Sequence, residues 1–277
     1  MRAHTNHFGR ALGARVFRAS CPTLFALLWL GSPRDASIAA PASVGRTGVV
    51  DRIATNDNRV PSGTLRNGVL TIRLEARTGE WHPDRDADRG LVVRAFAEEG
   101  KPLQVPAPLI RVPRGTEIHA FVRNALPDST LFVHGLYERG TAGPDTVQIK
   151  AGEVRELRFK AGAPGTYFYW ATTAESAPIG SRMADSQLNG AFVVDTGATL
   201  GTPRDRIFVL GLWTTSATPG VVAATDMQRF VINGKSWPNT ERLTYTTGDT
   251  VRFRIVNTSA APHPMHLHGF YFTIDAR

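Results

Sequence analysis

The sequence is almost free of cysteine. Of 277 residues only Cys21 carries a thiol, and it lies among the first forty. Beyond that point a disulfide framework, a zinc–thiolate site and a cysteine nucleophile are all excluded. Long apolar runs are missing too. The stretch Leu24–Leu30 (LFALLWL) is far short of the roughly 20 residues needed to cross a bilayer as a helix. Strong charge is lacking as well. The formal net charge is +8, but residues 1–40 hold five Arg and one Asp, so the remainder carries 27 basic and 23 acidic side chains, net +4. With no Lys/Arg cluster interleaved with aromatics, that balance argues against nucleic acid as a partner. There is no Gly-rich phosphate loop, no nucleophile elbow and no paired-carboxylate signature.

The first forty residues have the layout of a secretory signal. Arginines precede any acid, the apolar run follows, and small residues (Ala36, Ser37, Ala39, Ala40) come after it, which places cleavage near residue 39 or 40. A secreted or periplasmic protein is expected, with no membrane attachment after cleavage. Residues 41–64 are polar and turn-rich without a sustained period, and are expected to be a disordered linker.

From there on, short runs rich in Val, Ile, Phe, Tyr and Thr alternate with Gly, Pro, Asn and Asp. Examples are Val69–Leu74, Leu91–Ala97, Glu117–Val122, Thr166–Tyr169, Ile207–Leu212 and Phe270–Ile274. This spacing predicts an all-β antiparallel sandwich. The one helical candidate is Ser181–Leu188. An internal repeat points to two related units. Gly115–Asn124 (GTEIHAFVRN) and Gly248–Asn257 (GDTVRFRIVN) share an opening Gly and a closing Asn, and each is followed by a His-Gly pair, His134-Gly135 and His268-Gly269. The first unit is expected over 65–196 and the second over 205–277. The second has 73 residues where a sandwich domain takes about 100, so it is expected to be only the start of a domain.

Six histidines lie beyond residue 40, and three fall within six residues: His263, His266 and His268. On a strand, residues two apart share a face, so His266 and His268 would aim both imidazoles one way and Leu267 the other. Imidazole suits copper, zinc, iron or nickel. Pro264 interrupts the pattern and sets His263 at the preceding turn. The bland alternative is a solvated, His-rich strand end. His119 and His82 read as a solvated face and a loop. Asp145, Glu175 and Asp185 could assist proton transfer near a metal, with surface loop as the default. Trp170 and Tyr167 read as core or interface aromatics.

The segment His263–Gly269 (HPMHLHG) resembles the third copper motif of multicopper oxidases, the laccase-like and nitrite-reductase-like cupredoxin proteins. The resemblance implies a type 1 ligand at His263, a type 2 ligand at His266 and a type 3 ligand at His268. Leu131–Leu136 (LFVHGL) is similar to the first motif, with His134 as its ligand, and Gly165–Thr172 (GTYFYWAT) to the second. Asp185–Val194 is similar to the close of the first domain. It implies a cupredoxin-like Greek-key β-sandwich, one complete domain followed by an incomplete one, with copper as cofactor and an oxidoreductase activity.

The departures are equally specific. Phe132 stands where the first motif has a second histidine, and Trp170 and Thr172 stand at both ligand positions of the second. The cysteine-bearing fourth motif is not in the sequence. The expected metal set is therefore His134, His263, His266 and His268, completed by a further C-terminal domain or by another copy in a homo-oligomer. The chain is not expected to be active alone. The alternative is a secreted cupredoxin-like binding or structural module that has lost catalysis.

Overall fold

The computed structural model describes residues 50–142, 145–175, 184–197, 201–202, 204–215 and 225–275. The expected signal, residues 1–40, lies outside them. Among the described residues there are sixteen strands and no helix. In chain order they are β1 (Ala54–Thr55), β2 (Thr64–Arg66), β3 (Val69–Trp81), β4 (Leu91–Glu98), β5 (Leu103–Val105), β6 (Ile110–Pro113), β7 (Glu117–Asn124), β8 (Leu131–His134), β9 (Val147–Ile149), β10 (Val154–Lys160), β11 (Gly165–Thr172) and β12 (Asn189–Asp195). The later four are β13 (Asp205–Thr214), β14 (Gln228–Ile232), β15 (Lys235–Ser236) and β16 (Arg252–Asn257).

Alternation over residues 69–76 of β3 and along β7 builds the first sheet. Leu70, Ile72 and Leu74 of β3 and Ile118, Ala120 and Val122 of β7 are buried, while the residues between them face outward or are half-buried. The sheet runs β1-β5-β4-β3-β7-β10, with β2 hairpinned onto β3. A second sheet, β6-β12-β11-β8-β9, closes over it. Leu131, Val133, Tyr169, Phe192 and Val194 interdigitate there with the β3 and β7 side chains. This is the expected all-β Greek-key sandwich.

Every residue of β12 is buried. Phe192 and Val194 point into the sandwich core. Ala191 and Val193, on the opposite face, pack with Leu109 against Ile207, Val209 and Val256 of a third sheet, β15-β14-β13-β16. A second contact surface joins Trp213 and Val231 of that sheet to Ile53, Trp81, Val93 and Leu103. Beyond the first contact, at the start of β13, lies a buried charge network. Arg111 donates from Nε and Nη2 to Asp195 (2.7 and 2.9 Å) and from Nη2 to Asp205 (2.6 Å). Arg254 donates from Nε to the other side of Asp205 at 2.9 Å. The outer face of the third sheet is apolar and exposed at Phe230, Ile232, Phe253 and Ile255.

The repeat is built the same way twice. Gly115 and Gly248 both take positive φ, and β7 and β16 each pair in parallel, with β3 and β13. Asn124 Oδ1 accepts from Leu126 N, and Asn257 Oδ1 accepts from Ser259 N, the same two-residue Asx turn.

Three local expectations are corrected. First, residues 51–64 of the expected linker are strapped to the body. Ile53 is buried and bonds through its N to Glu80 O (2.8 Å), and Asn56 spans Val105 O and Ala107 O. Its polar composition reflects amide side chains satisfying backbone groups, where a solvated chain had been expected. Second, where the helix was expected, residues 184–187 form a turn closed by Leu188 N donating to Asp185 O, and residues 181–183 lie outside the described part. Third, Phe270–Ile274 is not a strand. No described strand pairs with it, and Phe270, Phe272 and Ile274 are exposed.

Asn233 and Gly234 form the two-residue turn between β14 and β15, both at positive φ, as an Asn-Gly hairpin requires. The Asn233 side chain is also a hub. Its Oδ1 accepts from Val209 N and from Asn58 Nδ2, and its Nδ2 donates to Ile207 O. Asn233→Ala removes three buried hydrogen bonds and leaves a β-carbon residue in the left-handed region. We expect a loss of about 2–4 kcal/mol, read as a lower urea midpoint at unchanged m-value.

Candidate metal centre

β8 ends at His134, and its register against β11 sets His134 opposite Trp170 and Phe132 opposite Thr172. Directly opposed residues share a face. The four positions that the family resemblance marks as first-domain ligands therefore form one two-by-two patch, of which one member is an imidazole. Trp170 stacks on His134 at 4.0 Å between centroids and 13° between planes. Phe132 is buried, and Thr172 donates its hydroxyl to Ala174 O at 2.8 Å.

His134 itself is held tightly. Its Nδ1 lies 3.0 Å from Thr146 Oγ1 and 3.9 Å from Asp145 Oδ2. Asp145 Oδ1 in turn accepts from Gly135 N at 2.6 Å. Burial pushes the His134 pKa below the ordinary histidine value, with the Asp145 charge pulling partly the other way. The ring is thus neutral at neutral pH, the form that ligates metals. Its Nε2 is buried with no hydrogen-bond partner. Gly135 is required beside it: at φ +80° a Cβ would stand 2.4 Å from Phe168 O, so the following chain can leave the strand only as glycine.

The second histidine cluster lies beyond β16 in irregular chain, not on the strand expected. With no described strand alongside, no ladder forms there. Even so, His266 and His268 face one another, with their Nε2 atoms 3.2 Å apart. A turn follows at residues 268–269, with Gly269 at positive φ. His263 is turned elsewhere, as expected from Pro264. Its Nε2 lies 2.7 Å from Ser259 Oγ, and its ring meets Phe230 edge-on. The structure does not gather His134, His263, His266 and His268 into one site: among the described residues no group of three or more His, Cys, Asp or Glu is placed to hold a metal.

Of the acids singled out, Asp145 stands beside His134, whereas Asp185 is a buried structural anchor bound by Arg94 Nη1 (2.7 Å) and Thr173 N (2.8 Å). Glu175 is exposed. Thr146 and Ser259, the hydroxyls that hold His134 and His263, were not expected. Ser259 follows the repeat's closing Asn by two residues, and that turn was the available signal; Thr146 had none.

Residues 102–198 and 213–277 match two family models, each described as multicopper oxidase. The chain belongs to the multicopper oxidase family. Copper is the cofactor of that family. The chain is 27% identical over 222 residues to a probable nitrite reductase-hydroxylamine oxidoreductase fusion protein of Kuenenia stuttgartiensis, covering 74% of this chain and 25% of that protein. It therefore spans about a quarter of that relative's length. Among solved structures it is similar to a copper nitrite reductase from Nitrosomonas europaea (TM-score 0.51, 22% identity, 68% of this chain and 67% of that one). It is equally similar to the multicopper oxidase mgLAC (TM-score 0.51, 22% identity, 68% and 61%). These likenesses establish the fold. No helix among the described residues of this multicopper oxidase chain is long and apolar enough to cross a membrane.

Proposed function

We propose that this chain supplies part of the copper site of an exported oxidoreductase, and that a further domain or a second copy completes that site. The observation that carries the reading is the 3.2 Å separation of His266 Nε2 and His268 Nε2. Two imidazole nitrogens at about 2.0 Å from one tetrahedral ion stand about 3.3 Å apart, so this pair can share one ion where the family resemblance assigns its members to two. The buried, unpartnered Nε2 of His134 supports a ligand role for that ring as well. With hydrogen on Nδ1, donated to Thr146 Oγ1, Nε2 presents a bare lone pair. Copper bound there would supply one-electron redox chemistry. The residues themselves hold the ion, fix the His134 tautomer through Thr146, and place the Asp145 carboxylate where it can hold a proton near Nδ1.

The residues present do not fit a full trinuclear set. Phe132, Trp170 and Thr172 fill the patch with groups that do not ligate copper. That observation favours a second reading, a binding or structural module without catalysis. The apolar outer face of the third sheet supports a covering domain or copy in either case. The signal-like layout of the sequence over residues 1–40 supports export.

Titration of the 277-residue chain with Cu(II), followed by electron paramagnetic resonance, tests the first reading. A saturable Cu(II) signal with nitrogen hyperfine structure is expected, and His266→Ala with His268→Ala should abolish it. Unchanged binding in the double variant would refute the assignment. Assays of phenol oxidation and nitrite reduction on the copper-loaded protein, with whatever domain or second copy completes the site, separate the readings, because a module shows neither.

A further inference from the structure

Away from the histidines, the strap over residues 51–64 meets the third sheet at a cleft of about 240 Å³ lined by Arg59, Arg204, Arg206, Arg242, Thr244 and Asp249, among others. Four arginines line this one cleft. Their local carboxylates are three: Asp57 and Glu241 on Arg59, Glu241 shared with Arg206, and Asp249 on Arg204 at 2.6 Å. One positive charge is left over. Arg242 is exposed and has no carboxylate among the described residues. Arg206 forms the buried floor, its side chain only 2% exposed. Its recorded bonds, to Glu241 and Asp57 O, use Nη2 alone, and a guanidinium has five N–H donors to place.

We propose that this cleft binds a small inorganic oxyanion, with Arg242 and Arg204 as the groups that grip it. Planar guanidinium forks match the paired oxygens of a tetrahedral oxyanion, which a halide lacks. The volume is ample for one such ion. Glu241, shared between Arg59 and Arg206, fixes both arginines in place. Despite burial, which works the other way, hydrogen bonds from the two arginines hold its carboxyl below the usual range, so it remains a fixed anion at neutral pH.

Calorimetric titration of the full chain with inorganic phosphate, against chloride at matched ionic strength, tests this. Saturable binding of one phosphate, displaced by sulfate and absent with chloride, is expected. Arg242→Gln should weaken it about tenfold, the effect of one lost charge-assisted hydrogen bond. Arg66→Gln, at an exposed arginine of the first sheet, should leave it unchanged. Both variants lie on the surface, and equal melting curves confirm folding. No saturable heat with phosphate, or equal weakening by the two variants, would overturn the site. His266→Ala with His268→Ala should not alter phosphate binding, so this result stands apart from the copper reading.

Discussion

Arg111→Met should destabilise the protein by about 3–5 kcal/mol, measured by urea unfolding. The side chains of Arg111, Asp195 and Asp205 are 7%, 8% and 8% exposed. Removing the cation takes away the bidentate partner of Asp195 and leaves Asp195 (3.6 Å) and Asp205 (2.9 Å) to share Arg254 alone. Two buried carboxylates left with one guanidinium carry a net buried negative charge, which is what makes breaking such a network expensive, even where the intact pair is worth little. An exposed pair such as Arg85 with Asp88 offers the contrast: its loss should cost no more than about 1 kcal/mol. The network also carries a pH signature. Burial alone would raise the Asp205 pKa, but hydrogen bonds from Arg254 and Arg111 outweigh it and hold the group below its ordinary value. A depressed folded-state pKa stabilises above the unfolded value and loses that stabilisation as pH falls. Stability should therefore drop below about pH 4. In Asp205→Asn the acid slope should be shallower. An unchanged slope would remove Asp205 from the account.

Phe132→His combined with Trp170→His should create a copper site that the chain lacks. The register already sets these positions on one face with His134, so the substitutions add two imidazoles to one whose Nε2 is unpartnered. We expect one additional tightly bound Cu(II) per chain by metal analysis and paramagnetic resonance. The cost in the metal-free form comes from the lost stack of Trp170 on His134, about 1 kcal/mol, and from truncating a buried phenylalanine. Metal binding should recover it as a raised melting temperature on copper addition. If copper stoichiometry stays that of the parent, the patch is not a vestigial ligand set. The control Phe132→Leu should bind no extra metal.

The sandwich was legible because its strands alternate strongly: the runs at Val69, Leu91, Glu117 and Ile207 all begin strands or lie within them. The repeat was legible because Gly115, Asn124, Gly248 and Asn257 are fixed by positive φ and by Asx turns, and both are written in residue type. Less legible was anything set by distant packing. The strap at residues 51–64 looks like solvated chain by composition, since its order comes from amides that reach Ala107 and Asn233. Phe270–Ile274 looks like a strand because β-propensity and alternation are local, whereas a strand exists only where a neighbour takes its hydrogen bonds. His266 and His268 are legible as neighbours from their spacing of two, although no described strand runs there. Two Asn-Gly pairs, at Asn67 and Asn233, went unread although both form tight hairpin turns.

The two-sided burial of β12 has a consequence for how this sequence can change. In most sandwich strands every second residue faces water and drifts freely. In β12 that outward register is occupied: Phe192 and Val194 answer to one core, Ala191 and Val193 to another. A methyl added at Ala191 is felt by Ile207 and Val209, and one removed from Phe192 by Phe159 and Tyr167. The strand is a party wall, with no side on which mutations go unnoticed. Two sheets far apart in sequence must therefore evolve in step through it.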